Sequence, residues 1–253
     1  MAISLPGKNA LVTGGGVGIG KEISLELARA GARVAVTYLS HQPDDAFSAA
    51  IHQESGHPLL ALQVDATISN DVQSAVERVQ HEFDSIDILV NNIGGLIQRE
   101  RIVDMDFALW QNVMAVNLDS VFLATHYTLP FMSTGWGRII NVASLAGHNG
   151  GHPGAVAYAS SKAAIFGFTR GLSREVAERG ITVNALAPGF IEATPFHDTF
   201  TTAESKASTV QSIPLQRAGT PEDVAGAALW LASDLSSFVT GATININGGQ
   251  YFA

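Results

Sequence analysis

The sequence predicts an α/β fold: one doubly wound domain in which a seven-stranded parallel sheet is flanked by helices. Short apolar, β-branched runs alternate with helical stretches along the whole chain of 253 residues, which is the order of elements in a parallel α/β sheet. Most of the apolar runs are continuous, as expected of strands buried on both faces. No linker, repeat or low-complexity tract divides the chain, so a single domain over residues 1–253 is expected.

The predicted strands and helices follow one another in turn. The strands are residues 10–13, 33–38, 59–64, 86–90, 138–142, 181–186 and 242–246, and the helices are residues 18–30, 44–54, 70–83, 105–131, 155–178 and 221–232. Thr220, Pro221 and the two acids after them form a favourable start for the last helix. Residues 190–215, and within them the polar stretch 195–212, are predicted as a lid over the substrate. An ordinary surface loop is the alternative.

Composition limits the possible functions. A net charge of −9 and a pI near 5.2 argue against a nucleic-acid surface, and no apolar run is long enough to span a bilayer. The first ten residues lack the pattern of a signal peptide. Because there is no cysteine, disulfides, thiolate catalysis and cysteine metal sites are excluded. We therefore expect a soluble cytoplasmic protein with no nucleic-acid partner, no membrane partner and no metal.

A glycine-rich turn follows the first strand. Residues 14–20 read GGGVGIG, between the apolar run 9–13 and a helical run over residues 21–30. Strand, glycine turn and helix in this order are the context of a dinucleotide-binding fingerprint. Glycines let the backbone approach a pyrophosphate, and the helix N-terminus supplies unpaired N–H groups and a partial positive charge. A plain glycine turn is the alternative.

A hydroxyl, a phenol and an ammonium lie within nineteen residues. Tyr158 and Lys162 are four residues apart in a predicted helix, so they share one helical face. A neighbouring positive charge favours the phenolate, so we expect Lys162 to lower the pKa of Tyr158 and to suit it to proton transfer near neutral pH. Ser144 follows the strand 138–142, at the sheet end where ligands bind in open α/β sheets. For an isolated match, an exposed Tyr and Lys on one helix are the alternative.

Together these motifs resemble those of the short-chain dehydrogenase/reductase family. The matching residues are Thr13-Gly14-x-x-x-Gly18-x-Gly20, Asn91 to Gly94, Asn117, Ser144, Tyr158, Lys162 and Pro188-Gly189. The resemblance extends over nearly the whole chain. It implies one Rossmann-type domain, an NAD(P)(H) cofactor, and hydride transfer between the nicotinamide and a carbonyl or secondary alcohol.

The resemblance also implies roles for individual residues. The implied catalytic residues are Asn117, Ser144, Tyr158 and Lys162. The implied cofactor contacts are Gly14, Gly16, Val17, Gly18, Ile19, Gly20, Tyr38, Ser40, His41, Asp65, Ala66, Asn92, Ile93, Gly94, Tyr158, Lys162, Pro188, Gly189, Ile191 and Thr194. In the family, the Tyr is the acid and base, the Ser steadies the substrate oxygen, and the Lys holds the nicotinamide ribose. The Asn orients that Lys through water.

Three positions depart from the family pattern or have a rival explanation. Asp65 matches a residue that contacts the adenine edge, although a cap for the following helix is the alternative. Ile93 stands where the family usually has Ala, so a narrower cleft is expected beside the cofactor ribose. Thr194, which matches a Thr that holds the nicotinamide carboxamide, lies one residue later than usual.

A finer similarity concerns the substrate. Residues 146–154, the pair Phe196-His197 and residues 247–251 look like those of family members that reduce the unsaturated keto-uronate released from alginate. The implied substrate contacts are Ser144, His148, His152, Phe196 and His197. The chain as a whole resembles the 3-oxoacyl-carrier-protein reductase branch, so a polar keto-sugar, a keto-uronate and a 3-oxoacyl compound are the substrate classes.

Two functions of other classes stay open at this point. The first is a nucleotide-sensing binding protein on the same fold, because fold alone does not decide function. The intact Ser, Tyr, Lys and Asn set favours the enzyme. The second is a hydrolase that uses Ser144, but the chain lacks the G-x-S-x-G elbow of such enzymes.

The end of the second strand predicts the choice of nicotinamide cofactor. A carboxylate there would bind the ribose hydroxyls and repel a 2′-phosphate. Residues 36–42 read VTYLSHQ, and the first acids are Asp44 and Asp45. Tyr38, Ser40 and His41 offer hydrogen bonds to a phosphate instead. We expect NADP(H) to be modestly preferred, with NAD(H) also usable.

The two long predicted helices suggest self-association. Helices 105–131 and 155–178 carry more apolar residues than one inward face needs, which would leave a large exposed patch on a monomer. The large side chains in question are Phe122, Tyr127, Phe131, Phe166 and Phe168. Because members of the resembled family are commonly tetramers, these apolar side chains predict a homotetramer or a dimer.

Overall fold

The computed structural model describes residues 3–192 and 203–252. Its strands are β1 (Asn9–Val12), β2 (Arg33–Tyr38), β3 (Leu60–Gln63), β4 (Ile88–Asn91), β5 (Gly137–Val142), β6 (Ile181–Pro188) and β7 (Thr243–Ile246). All seven pair in parallel in one sheet, in the order β3-β2-β1-β4-β5-β6-β7. The predicted seven-stranded parallel sheet is therefore confirmed.

Helices cover both faces of this sheet. Within the described ranges they are α1 (Gly18–Arg29), α2 (Asp45–Ser55), α3 (Ser69–Phe83), α4 (Phe107–Met114), α5 (Ser120–Thr128), α6 (Ala146–Asn149), α7 (Val156–Glu175), α8 (Ala203–Ser212) and α9 (Pro221–Leu231). One core joins the sheet to α1, α2 and α9, and a second joins its other face to α3, α5 and α7. Strands buried from both sides explain the continuous apolar runs in the sequence.

The strand order reverses beside β1, and this reversal positions the site. β1 pairs with β2 on one side, where Ala10 lies opposite Val34, and with β4 on the other, where Ala10 lies opposite Ile88. The connections that leave β1 and β4 therefore run to opposite sides. A crevice opens outside the carboxyl ends of the strands at such a point, and ligands bind there in open α/β sheets.

The predicted helix over residues 105–131 is wrong in detail. The segment begins at α4, where the Asp106 carboxylate caps the helix by accepting from the Leu109 N–H at 2.6 Å. A wide π-helical turn, Ala115–Asp119, then separates α4 from α5, and a 3₁₀ turn ends the segment at Leu129–Phe131. Asn117 lies in the π turn, and its Nδ2 donates to the Val113 carbonyl at 2.9 Å. Polar side chains that bond to the backbone disturb α-helical pairing, and π turns recur at functional sites.

Two shorter helices lie where the sequence predicted no helix. α6 occupies part of the glycine-rich stretch after β5, and α8 occupies residues 203–212 of the predicted lid segment. The lid as a moving element stays a prediction, because residues 193–202 lie outside the described part of the chain. The predicted start of the last helix is confirmed, since the Thr220 N–H donates to the Asp223 carboxylate at 2.9 Å in a capping box.

Candidate active site

A cavity of about 810 Å³ lies at the carboxyl ends of the strands. Its walls come from the glycine turn after β1, the ends of β2 and β3, the segment after β4, and the segment that joins β5 to α7. Pro188 and Gly189 at the end of β6 complete it, together with Thr209 of α8 and Gln250 near the C-terminus. The volume lies in the range of small-molecule and cofactor sites.

The glycine turn after β1 packs too closely to admit side chains. A Cβ added at Gly20 would collide with the carbonyl oxygen of Gly14 and come within 2.5 Å of the Asn92 Nδ2. Gly14 and Gly18 have φ angles of +62° and +52°, a region that L residues with side chains seldom adopt. α1 begins at Gly18, and no side chain of the described residues caps it. Its N-terminus therefore offers backbone N–H groups to the cavity.

The end of β4 is fixed to the end of β1 by side-chain hydrogen bonds. Asn92 Nδ2 donates to the carbonyl oxygens of Thr13 at 3.0 Å and Gly14 at 3.1 Å. The Asn92 N–H donates to Thr13 Oγ1 at 3.0 Å. Ile93 packs against Gly14, since its Cγ1 would lie only 3.1 Å from a Cβ at that glycine. The β-branched residue thus fits here because residue 14 has no side chain.

The ends of β2 and β3 form one end of the cavity. Tyr38, Ser40 and His41 line it, and Ser40 Oγ lies 2.9 Å from His41 Nδ1. Asp44 is not among the lining residues, because its carboxylate caps α2 by accepting from the Phe47 N–H at 2.7 Å. The described cavity wall therefore has no carboxylate at the end of β2.

Asp65 follows β3 and also lines the cavity, together with Ala66. Its Oδ1 accepts from the Thr67 N–H at 2.9 Å and from Thr67 Oγ1 at 2.6 Å, and these bonds hold the pKa of the carboxyl below its usual range. α3 begins after Ile68, whose side chain caps nothing. Asp65 thus shapes the turn before α3 and does not cap that helix.

Ser144, Tyr158 and Lys162 come together in the cavity wall. Ser144 stands after β5 and is hydrogen-bonded to the Tyr158 phenol, and its Oγ accepts from the Ala146 N–H at 3.1 Å. Tyr158 and Lys162 lie one turn apart on α7. The Lys162 side chain is 3% exposed, and its Nζ donates to the Val142 carbonyl at 2.8 Å and lies 5.9 Å from the centre of the Tyr158 ring.

Asn117 and Lys162 meet at the segment after β4. A Cβ on Gly94 would lie 2.6 Å from Lys162 Nζ and 2.8 Å from Asn117 Oδ1, so only glycine leaves room for both side chains. Asn117 is fully buried. Its Oδ1 accepts from the Gly95 N–H at 3.0 Å, and its Nδ2 donates to the Gly95 carbonyl at 2.8 Å. The π turn thus places a carboxamide that fixes the backbone beside Lys162.

The end of β6 closes the cavity from the other side. The Pro188 carbonyl accepts from the Leu145 N–H at 2.8 Å, and the Gly189 N–H donates to the Ile246 carbonyl at 2.9 Å. Ile191 forms an isolated parallel bridge with Gly219 and lines the cavity. The remaining predicted contacts of this segment, Thr194, Phe196 and His197, lie outside the described residues.

Comparisons with known proteins identify this arrangement. A family profile described as enoyl-(acyl carrier protein) reductase matches residues 15–250. The structure aligns with a TM-score of 0.92 to a short-chain dehydrogenase/reductase, glucose/ribitol dehydrogenase, of Brucella melitensis, which is 32% identical, and the alignment covers 100% of both chains. The chain belongs to the short-chain dehydrogenase/reductase (SDR) family.

Two further relatives narrow the class of this SDR protein. The 3-oxoacyl-(acyl-carrier-protein) reductase of Aquifex aeolicus is 39% identical over 253 residues, which are 99% of this chain and 100% of that protein. An NADH-dependent reductase responsible for alginate metabolism is 31% identical, with a TM-score of 0.89 and coverage of 98% of this chain and 99% of that one. The relatives are named as reductases and dehydrogenases, and this SDR protein is an NAD(P)-dependent oxidoreductase.

The cavity of this SDR enzyme fits a nicotinamide dinucleotide. Because Gly14 and Gly20 have no side chains, a pyrophosphate could approach the backbone of this turn closely, beside the uncapped N-terminus of α1. Tyr38, Asp65 and their neighbours offer a wall for the adenosine, and the segment around Gly94 and Gly189 offers one for the nicotinamide ribose. The hydride would be supplied or accepted by the bound nicotinamide.

The protonation of Tyr158 and Lys162 differs from the expectation. Burial raises the pKa of the Tyr158 phenol, and the hydrogen bond from Ser144 only partly opposes this effect. Burial also lowers the pKa of the Lys162 ammonium to about 7. Because the lysine is only partly charged near neutral pH, its field on the phenol is weak, and desolvation decides the direction of the Tyr158 shift. The prediction that Lys162 lowers the pKa of Tyr158 is therefore wrong for the polypeptide itself.

The cavity wall also contains polar residues that the sequence analysis did not predict as substrate contacts. His152 lines the cavity as expected, but His148 does not. The His148 ring is stacked between Phe166, at 4.3 Å between ring centres, and Tyr251, at 4.7 Å. The additional polar lining residues are Arg99, Asn149, Thr209 and Gln250. Of these, Asn149 and Gln250 lay in segments that the finer similarity marked, and no pattern marked Arg99.

Among residues 3–192 and 203–252, no group of three or more His, Cys, Asp or Glu side chains could hold a metal ion. No helix in the described ranges is long and apolar enough to cross a membrane.

Proposed function

We propose that this SDR enzyme reduces the carbonyl group of a small polar compound, a keto-sugar or a keto-uronate. The observation that carries the proposal is that Ser144 and Tyr158 share one cavity with the polar side chains of Asn149, His152 and Gln250. Polar groups in a binding site fix the orientation of the ligand, and an apolar ligand that covers them leaves them without hydrogen-bond partners. A hydroxyl-bearing substrate therefore suits this wall better than a long acyl chain.

In this proposal Tyr158 is the proton donor. A donor must hold its proton until the carbonyl oxygen develops negative charge, and burial keeps the Tyr158 pKa above its ordinary value. Ser144 would donate a second hydrogen bond to the same oxygen and stabilise that charge. Ser144 follows β5 and Tyr158 lies near the start of α7, and both residues line the cavity.

Lys162 and Asn117 would support the proton donor. With a pKa of about 7, Lys162 can both give and accept a proton near neutral pH, which suits it to restoring the proton that Tyr158 loses. It would also hold the nicotinamide ribose. Asn117 fixes Gly95 and so keeps the backbone beside Lys162 in place, and it would orient Lys162 through water.

The proposed cofactor is NADPH, modestly preferred, with NADH also usable. Two features support this choice: no carboxylate lines the described cavity at the end of β2, and Asp44 is engaged in capping α2. Ser40 and His41 would bind the 2′-phosphate. Val17 stands in the glycine turn without a positive charge, so the preference is expected to be small.

A carbonyl panel tests the proposed function. NADPH oxidation by the purified enzyme should be fast with the alginate-derived keto-uronate or with a keto-sugar, and slow with 3-oxoacyl thioesters of long chains. A rate with a long 3-oxoacyl thioester that exceeds those with all the sugars would contradict it. No oxidation with any carbonyl would favour the nucleotide-sensing alternative.

A second candidate is the reduction of a 3-oxoacyl thioester. It is favoured by the name of the Aquifex relative, which is the 39% identical protein described above. Leu96 and Phe190 give the cavity an apolar wall that could accept a short acyl group. A short-chain 3-oxoacyl thioester belongs in the same panel, because a preference for it over the sugars would select this candidate.

We also propose that the enzyme assembles as a homotetramer or a dimer. Four of the five large side chains that suggested this pack within the protomer, but Phe122 is 51% exposed. Ile102, Val103 and Phe107 are also exposed, by 61%, 83% and 71%. Large apolar side chains that stay exposed on a monomer are typical of interfaces. Light scattering at micromolar concentration should give the mass of two or four chains, and a stable monomer would refute this proposal.

A further inference from the structure

Arg99 is an unexpected member of the cavity wall. It belongs to the segment after β4, and this segment is attached to the one that leads into α7: the Glu100 N–H donates to the Gly154 carbonyl at 3.0 Å. Gly154, with φ +82°, leaves room for Arg99, whose Cβ would lie 3.4 Å from a Cβ at the glycine. Gly154 precedes Tyr158 by four residues. Arg99 is thus held beside the element that carries the proton donor.

The charge on Arg99 is not used within the described protein. Arg99 is exposed and forms no ion pair with any residue that the structure describes. The neighbouring Glu100 carboxylate is engaged by Gln98 Nε2 at 3.2 Å and by the Arg101 N–H at 3.2 Å. The other charged side chains in the described lining are Lys162, which is buried against β5, and Asp65, at the far end beside β3.

We propose that Arg99 binds a carboxylate of the substrate, which makes the substrate an anionic carbonyl compound. A guanidinium binds a carboxylate through two parallel hydrogen bonds, a geometry that lysine cannot reproduce. The chain carries a net charge of −9, so an anion meets a repulsive field unless a cation is placed at the pocket. His152, in the same wall, adds a polar partner. This inference rests on the proposed function and selects the keto-uronate over the neutral keto-sugar.

Turnover of a matched substrate pair tests the assignment. In Arg99→Met, KM for the alginate-derived keto-uronate should rise about 10- to 100-fold, the usual worth of a hydrogen-bonded charge, while KM for its methyl ester should not change. Arg99→Lys should restore only part of the loss. Arg101→Met is the matched control, because Arg101 is exposed on the same segment but does not line the cavity, and it should behave as the parent enzyme.

Several results would overturn the inference. If Arg99→Met raised KM equally for the acid and its methyl ester, Arg99 would only support the loop. If Arg99→Met and Arg101→Met raised KM for the acid equally, the effect would come from the general electrostatic field. A loss confined to a 3-oxoacyl thioester that carries a phosphodiester would assign Arg99 to a phosphate instead.

A binding measurement separates this inference from the proposed function. In the NADPH complex of the full chain, glucuronate should change NADPH fluorescence at lower concentration than glucose, and Arg99→Met should abolish that difference. If the keto-uronate is not reduced but this difference is found, the proposed reaction fails and the carboxylate site stands. If glucuronate binds no more tightly than glucose, the carboxylate site is wrong whatever the enzyme reduces.

Discussion

The two halves of the cavity are built in different ways. The half at β1, β2 and β3 is made chiefly by backbone: the glycine turn, the N-terminus of α1 and strand ends tied together by Asn92. The half at β4, β5 and β6 is made largely by side chains from several separate segments, among them Arg99, His152 and Gln250. The first half is therefore sensitive mainly to an added Cβ. The second half depends mainly on the identity of its side chains, although Gly94 also leaves no room for a Cβ.

Within the backbone-built half, the largest expected effect comes from adding one methyl group. In Gly20→Ala the new Cβ would collide with the carbonyl of Gly14 and the Asn92 carboxamide, and neither is the far end of a flexible chain. Overpacking of this kind costs about 1–3 kcal/mol, so we expect NADPH affinity to fall by up to about 100-fold and the free energy of unfolding to fall by a similar energy. Fluorescence titration and urea unfolding measure the two quantities.

The control for this variant is Gly226→Ala. Gly226 lies in α9 with nothing within 4 Å of an added Cβ, so the change should stabilise the fold by about 0.4–1 kcal/mol and leave NADPH affinity unaltered. Equal behaviour of the two alanine variants would show that the glycine turn does not require its close packing.

The buried lysine of the other half predicts a pH-dependent stability. Burial lowers the Lys162 pKa from 10.5 to about 7, so between these values the unfolded chain binds a proton that the folded chain does not. The free energy of unfolding should therefore rise with pH above 7, by up to about 1.4 kcal/mol per pH unit. The raised Tyr158 pKa acts in the opposite direction only above its ordinary value of 10.0, which ends the window there.

Urea unfolding at pH 7, 8 and 9 without added nucleotide tests this slope. Lys162→Met should lose it, because the group that takes up the extra proton on unfolding is gone. A slope that persists unchanged in Lys162→Met would mean that another group is responsible.

The choice of cofactor is a smaller effect within the backbone-built half. We expect kcat/KM with NADPH to exceed that with NADH by about 5- to 30-fold, or about 1–2 kcal/mol, because no carboxylate opposes a 2′-phosphate beside Ser40. Ser40→Asp should reverse the order. A preference of the parent enzyme for NADH above a hundredfold would show that Asp44 leaves its cap and binds the ribose.

The two halves of the cavity also differ in how much of their structure the sequence could predict. The seven strands, α1 and the glycine turn could be predicted because their signals are local: apolar runs, turn residues and a strand–turn–helix order. The π turn at Asn117 could not, because it depends on hydrogen bonds to Gly95, which lies 22 residues earlier. Helix propensity alone favoured one long helix there.

The residues around the predicted substrate site show most clearly what the sequence alone could not predict. His148 and His152 look alike in the sequence, yet only His152 reaches the cavity, because His148 is enclosed between Phe166 and Tyr251. Arg99 reaches it through a backbone bond between Glu100 and Gly154, which are 54 positions apart in the chain. The direction of the Tyr158 pKa shift also required the structure, since burial and charge act in opposite senses.

The most direct test of the account is Tyr158→Phe, assayed with the best carbonyl of the panel. The variant keeps the ring and loses the proton, so kcat should fall by about 10²- to 10⁴-fold, the usual worth of general acid–base catalysis. NADPH affinity, measured on the same preparation by fluorescence titration, should stay within about twofold, because the glycine turn and α1 are untouched. Turnover that equals that of the parent enzyme would contradict the central claim that Tyr158 protonates the substrate.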